Sequence, residues 1–304
     1  MKSLVLGAAG FCGRHLLRRI KEEADSEIIG ADIVRNPSGL ACDGYSAVDI
    51  TQADQVAELF AREQPDRVYD LAGINAGQTA DIYKVNVIGR VNTMEAVRTQ
   101  CAGAAVLLVG SAAEYGIIPE ADCPVTEEHE CKPIGPYGLS KYAATQIALG
   151  YFRQYQLRLV IARPFNVVGA GMPDSLLLGA VIRRAKTALA KSDPAVIRTG
   201  NLESQRDFID VGDLVDAYVK LLSSDRWGET YNICSGQPVP IRRLVDLALS
   251  HAHRDVALEA DPALMRTVDA PVVYGSFEKA HAAFGFQPRT SLEESVRAAW
   301  LSHS

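Results

Sequence analysis

Residues 3–6 (Ser-Leu-Val-Leu) form a short apolar run that breaks into Gly7-Ala8-Ala9-Gly10-Phe11-Cys12-Gly13. An apolar pattern at helical spacing follows at Leu16, Leu17 and Ile20. A buried strand that must enter a helix through glycines at every third place has little freedom in how it folds. Gly7 permits the tight turn, Gly10 lets the backbone approach a pyrophosphate, and Gly13 lets the helix pack on the strand. A glycine triplet alone is a weak signal. Seated between a strand and a helix, it has the context that a dinucleotide-binding turn requires.

The chain to residue 170 continues the alternation that such a turn implies. Residues 27–32 read as a second strand whose last residue, Asp32, lies about 20 residues after the glycines. A carboxylate there accepts from ribose hydroxyls and repels a 2′-phosphate, which favours NAD; Arg35 nearby leaves NADP open. Residues 46–50 read as a third strand, with Asp49 and Ile50 at its adenine end. A fourth, over 67–73, carries Leu71, Ala72 and Gly73 to the cofactor, and the small residues let it lie close to the backbone. Residues 81–100 read as one long helix with more than one apolar face, and Asn86 within it is placed to bond a neighbouring main chain. A fifth strand over 105–110 delivers Ser111 to the mouth of the sheet, and a sixth spans 157–162. The fold expected is α/β, a Rossmann-type doubly wound parallel sheet with ligands at the carboxyl ends of the strands. A nucleotide domain over 1–170 is expected to precede a smaller α/β substrate lobe over 171–304, with segments near 208–236 packing back on the first.

Tyr137 and Lys141 lie four apart, hence on one face of a helix that Pro136 can begin. The tyrosine hydroxyl can serve as acid or base, and an ammonium one turn on lowers its pKa and can bond a cofactor sugar. Ser111 can polarise a substrate carbonyl or share the Tyr137 proton.

The formal charge of −6, from 31 basic and 37 acidic residues, argues against a nucleic-acid or anionic-membrane surface. No apolar run reaches the roughly 18–20 residues that cross a bilayer, and the first residues lack the pattern of a signal peptide. Six cysteines show no C-x-x-C spacing, so neither a metal site nor a disulfide framework is expected, Cys123, His129 and Cys131 included. A reducing, cytoplasmic location fits this usage.

The glycine turn, Ser111 four residues before Tyr115-Gly116, and the Tyr137/Lys141 pair together resemble the extended short-chain dehydrogenase/reductase family of nucleotide-sugar enzymes, over nearly the whole chain. Residues 110–116, 163–166, 200–208 and 231–236 are similar to its GDP-4-keto-6-deoxy-D-mannose reductases, relatives of the GDP-mannose 4,6-dehydratases. The resemblance implies Ser111, Tyr137 and Lys141 as a catalytic triad, with Phe11, Cys12 and Pro164 as further cofactor contacts. It implies a substrate site at Ser111, Ala112, Ala113, Tyr137, Asn166, Asn201, Arg206, Arg266 and Asp269. Asn166, Arg206 and Arg266 would hold the nucleotide diphosphate and Asp269 its ribose.

The implied reaction is NAD(P)H-dependent reduction of the C4 ketone of a nucleotide-4-keto-6-deoxyhexose, from GDP-4-keto-6-deoxymannose to GDP-D-rhamnose or its C4 epimer. Dehydratases of the group carry a Glu two residues before the Tyr-Gly; here that position is Ala113. Glu114, in a segment taken as extended, is expected to point elsewhere. Three alternatives compete: an NAD-dependent nucleotide-sugar epimerase like UDP-glucose 4-epimerase, a 4,6-dehydratase, and a catalytically silent NAD-binding regulator. Apolar residues on more than one side of the helices around 81–100 and 137–155 suit a homodimer interface, as the resemblance also implies.

Overall fold

A computed structural model describes residues 1–23, 26–191, 194–264 and 270–303. To residue 164 the chain runs β1 (Lys2–Leu6), α1 (Phe11–Lys21), β2 (Glu27–Asp32), β3 (Gly44–Ala47), α2 (Ala53–Glu63), β4 (Arg67–Asp70), α3 (Thr79–Tyr83), α4 (Gly89–Gln100), β5 (Ala105–Val109), α5 (Gly135–Tyr155) and β6 (Leu159–Pro164). It continues with β7 (Asn166–Val168), α6 (Leu177–Lys191), β8 (Ala195–Thr199), β9 (Gln205–Arg206), β10 (Phe208–Asp210), α7 (Val211–Leu222) and β11 (Thr230–Ile233). The last stretch holds β12 (Val239–Pro240), α8 (Ile241–Leu249), β13 (Val256–Ala260), β14 (Val272–Val273), α9 (Glu278–Phe284) and α10 (Leu292–Ser302).

Seven strands form one parallel sheet in the order β11-β6-β5-β4-β1-β2-β3. Such a sheet is covered on both faces, so its strands are apolar almost throughout. Successive residues of β1 show the two faces. Val5 joins a core with Leu16, Leu17 and Ile20 of α1 and with Leu214 and Tyr218 of α7. Leu4 joins one with Val56 and Phe60 of α2, Met94 and Val97 of α4 and Ala148 of α5. A third cluster, with Leu178, Ile182, Ile197, Leu244 and Trp300, fills the smaller lobe. Strand order reverses between β1 and β4, and sheets of this kind take their ligands at the carboxyl ends of such a reversal.

Several expectations shift. The third strand lies at 44–47 rather than 46–50, because Asp49 leaves the sheet: its carboxylate accepts from Thr51 N–H at 2.9 Å, a turn that starts α2. The long helix expected at 81–100 is interrupted by a π turn over Lys84–Ile88. The segments near 208–236 were expected to pack back on the first domain; here β11 is the outermost strand of the main sheet beside β6, and α7 packs on α1. Beyond residue 253, read from sequence as irregular before a last helix, β13 pairs in parallel with β8 and α9 packs on β11.

Candidate active site

The glycine turn is shaped by what it excludes. Gly7 takes φ +79°, and a Cβ there would lie 2.9 Å from the Ala72 nitrogen. A Cβ on Gly13 would lie 2.1 Å from the Gly7 carbonyl oxygen. Gly10 caps α1 with no side-chain hydrogen bond, so the first N–H groups of the helix, at Phe11, Cys12 and Gly13, are left for an external anion. Phe11 leans onto the smaller lobe's core, while burial pushes the Cys12 thiol up to about 12.

Asp32 ends β2 beside this turn. Its carboxylate accepts from Ala9 N–H at 3.0 Å and Val34 N–H at 3.2 Å, and Arg35 beyond it is exposed. Arg14, which no motif marks, bridges the Ala9 and Ser38 carbonyls at 3.0 and 2.9 Å. Asp49 is spent on its turn, and Ile50 is buried against Gly89, so neither is offered to a cofactor as directly as Asp32.

On the other side of β1, Leu71 continues β4 by bonding the Leu6 carbonyl. The π turn then brings Asn86 inward. Its side chain accepts from Ile74 N–H at 2.9 Å and donates to the Ile74 carbonyl and Ser140 Oγ at 2.8 and 2.9 Å. It therefore fixes the loop after Gly73, where a Cβ would meet Asn86 Oδ1 at 3.0 Å and approach Lys141 Nζ at 4.0 Å. Arg90 is fully buried below, ion-paired with Asp70 and bonded to the Ala72 carbonyl at 2.6 Å.

Ser111 begins a 3₁₀ turn, Ala112–Glu114, instead of an extended segment. Gly138 lets α5 pack on that turn, since a Cβ there would fall 2.6 Å from the Ala113 carbonyl oxygen. The packing brings Tyr137 to Ser111, whose hydroxyl favours the ionised phenol. Lys141, 5% exposed, donates to the Val109 carbonyl at 2.5 Å.

The electrostatics correct the expectation that Lys141 lowers the tyrosine. Burial raises the Tyr137 hydroxyl; the Ser111 hydroxyl offsets part of this, and the Glu114 charge adds to it. Lys141 is itself pulled down to about 7, mainly by burial and then by Arg90, against the opposing pull of Glu114.

Glu114, expected to point elsewhere from an extended segment, does so from the 3₁₀ turn: it is fully buried and paired with Arg163 at 2.8 Å. The sequence held its signal, for Ser111-Ala112-Ala113-Glu114 spells a capping box.

In the smaller lobe, Asp207 is the hub. Its buried carboxylate accepts from Ser235 N–H and Oγ at 2.7 and 2.8 Å, Gly236 N–H at 2.9 Å and Gly275 N–H at 3.3 Å. Its carbonyl accepts from the Asn166 side chain at 2.8 Å. Arg206 on β9 bonds the Gln205 carbonyl at 2.7 Å, and β9 is flanked by β12 and β14. Asn201 closes its own turn on Ser204 and Glu203. Pro164 ends β6 beside Ile233, directly before Phe165 and Asn166. Arg266 and Asp269 lie outside the described residues.

Among the described residues no group of three or more His, Cys, Asp or Glu side chains is gathered for a metal. Among the described residues no helix is long and apolar enough to cross a membrane. A cleft of about 750 Å³ opens at the amino ends of the strands, lined by Asp66, Arg67 and Arg158, away from the triad; its arginines are bonded to Glu23, Ser223 and Asp225.

A nicotinamide dinucleotide fits what remains open. The residues that could hold it are the first N–H groups of α1, Asp32 beside them, and Gly73 near Lys141. The description "NAD dependent epimerase/dehydratase family" matches residues 3–234. The chain is 32% identical over 255 residues to GDP-6-deoxy-D-mannose reductase of Pseudomonas aeruginosa, covering 82% of this chain and 84% of that one. It is 29% identical over 285 residues to GDP-6-deoxy-D-talose 4-dehydrogenase of Aggregatibacter actinomycetemcomitans, covering 92% and 90%. A solved structure of RMD from Pseudomonas aeruginosa complexed with NADPH superposes with a TM-score of 0.86 at 28% identity, covering 99% of this chain and 98% of that one. With its cofactor NAD or NADP, the chain belongs to the NAD-dependent epimerase/dehydratase family, the extended short-chain dehydrogenases/reductases.

Proposed function

We propose that the protein reduces the C4 ketone of a nucleotide-4-keto-6-deoxyhexose, with GDP-4-keto-6-deoxymannose as the favoured substrate and GDP-D-rhamnose or its C4 epimer as product. The observation that carries this is the Ser111 turn. Ser111, Tyr137 and Lys141 meet beside this turn, while its carboxylate, Glu114, faces the interior on Arg163 and so is not offered as a second acid or base for removing water. The likeness to a GDP-6-deoxy-D-mannose reductase supports the choice of substrate.

Held by the α1 N-terminus, Asp32 and Lys141, a reduced nicotinamide would supply the hydride. Tyr137, kept protonated by burial, gives its proton to the C4 oxygen as that oxygen gains charge. Ser111 hydrogen-bonds the same oxygen and Tyr137, so it stabilises the charge in transit. Lys141, held one turn along by the Val109 carbonyl, compensates the tyrosinate left behind. C4 thus gains one hydride and one proton and becomes an alcohol. We assign the nucleotide diphosphate to Asn166, Arg206 and Arg266, because a guanidinium fork matches phosphate oxygens. Ala112 and Ala113 line the sugar, and Asn201 shapes the loop that leads to Arg206. A second copy of the chain is the proposed protein partner, through α4 and α5.

An epimerase with the same triad is the second reading, favoured by the family's own range of activities. The two differ in what they do with the cofactor. A reductase must exchange it each turnover, whereas an epimerase regenerates it in place. Denaturing the purified protein and quantifying released nicotinamide separates them: a substoichiometric amount is expected, and one tightly held NAD per chain would overturn the reductase.

A further inference from the structure

Glu114 lies outside the reacting set and is bonded to the Ser111 backbone, to the helix that carries Tyr137 and Lys141, and to β6. Its side chain is 0% exposed, on the turn after β5, and both carboxylate oxygens are committed. Oε1 accepts the Ser111 N–H at 2.8 Å and the Thr145 hydroxyl at 3.1 Å. Thr145 stands on α5 just over two turns beyond Tyr137. Oε2 accepts Nε and Nη2 of Arg163 on β6, at 3.1 and 2.8 Å, while Nη1 of the same arginine donates to the Tyr115 hydroxyl at 3.0 Å. Tyr115 in turn donates to buried Asn232 of β11 at 2.8 Å. Space is reserved for this carboxylate, since a Cβ on Gly110 would sit 2.4 Å from Oε1.

We propose that Glu114 is a positioning residue for the reaction: one buried carboxylate locks the Ser111 backbone to the Tyr137 helix. This rests on Tyr137 being the proton donor. A buried carboxylate is costly unless paired and fully hydrogen-bonded, and this one is both.

The groups facing the pair come from every neighbouring element. Cys12 reaches Tyr137 from α1 and Tyr218 from α7, both with pKa values raised by burial and both neutral at working pH. Ser111 faces Tyr137 from the turn. Arg90 approaches Lys141 from α4 and lowers it. Arg163 on β6 is matched by Glu114 itself. Glu114 is therefore the anion whose field raises both Tyr137 and Lys141, against Arg90.

Glu114→Gln keeps the shape and the acceptor for Ser111 while removing the charge. It is expected to lower kcat about 10-fold or more, leaving KM for the keto sugar and the coenzyme Kd within about 2-fold. The alkaline limb of the kcat profile, where the donor loses its proton, should move down by about one pH unit. A substrate-free readout accompanies this: ultraviolet titration of the tyrosines, taken as the difference between each protein and its Tyr137→Phe counterpart. That titration should shift the same way even if the protein reduces no keto sugar, so failure of the functional reading and failure of this one are distinct. Wild-type kcat, or an unmoved profile and tyrosine titration, in a folded Glu114→Gln protein would overturn the proposal. Should that variant not fold, Gly110→Ala displaces the carboxylate without removing it. It should lower kcat at constant KM, and wild-type kcat there would equally overturn the proposal.

Discussion

Lys141 is kept at a cost, since it is buried and its hydrogen-bond partner is an uncharged carbonyl. Its folded pKa is about 7, against an ordinary lysine value of 10.5 in the unfolded chain. Between those values the unfolded chain binds more protons, so stability rises with pH there. The penalty is complete below about 7 and gone above about 10.5. Lys141→Met should therefore raise the melting temperature at pH 7, with an advantage that fades towards pH 10, and should abolish reduction. An unchanged pH dependence of melting would contradict this origin. Tyr137→Phe is expected to cost about 10²–10⁴-fold in kcat while coenzyme affinity, read by nicotinamide fluorescence, holds. The four-residue spacing of this pair was plain in the sequence. The direction of the tyrosine's shift was not, because burial by α1, α7 and the Ser111 turn is decided by segments far apart in the chain.

Among the elements, the glycine turn and the π turn do the positioning. Gly13→Ala would push a methyl to 2.1 Å from the Gly7 oxygen and 2.9 Å from Ala8 Cα, both backbone atoms that cannot step aside. Loss of coenzyme binding by at least about 100-fold is expected, or loss of the fold, and a titration with near-native affinity would refute it. Asn86→Ala removes three hydrogen bonds and strands the Ile74 backbone, at about 1–3 kcal/mol of stability. It should weaken coenzyme binding as well, because the loop after Gly73 loses its anchor; chemical denaturation and the fluorescence titration check the two effects. The glycines announce their own turn because only glycine fits it. Asn86 was read as bonding main chain, which it does, but nothing in the apolar pattern of 81–100 marks where one extra residue enters the helical ladder. Two-residue strands such as β9, β12 and β14 were equally hidden, since each exists only through its partners.

For the molecule as a whole, alternation along the chain foretold the parallel sheet, and β11, within the 208–236 stretch expected to pack back, joins it at the edge beside β6. A short apolar strand fits either side of the lobe boundary expected near residue 170, and long-range pairing settles which. The proposed pairing of two copies has its own test. Ile88, Leu139 and Tyr155 are 49%, 45% and 41% exposed on or beside α4 and α5. Ile88→Glu with Leu139→Glu should shift the mass seen by light scattering from two chains to one, and an unshifted mass would place the interface elsewhere. The chemistry has a more direct test. Purified protein is mixed with GDP-4-keto-6-deoxymannose and either NADH or NADPH, and nicotinamide absorbance is followed together with the sugar formed. A 4-ketoreductase oxidises one coenzyme for each 6-deoxyhexose nucleotide produced. Absence of oxidation with this sugar, alongside isomerisation of another nucleotide sugar at constant nicotinamide absorbance, would contradict it and establish the epimerase instead.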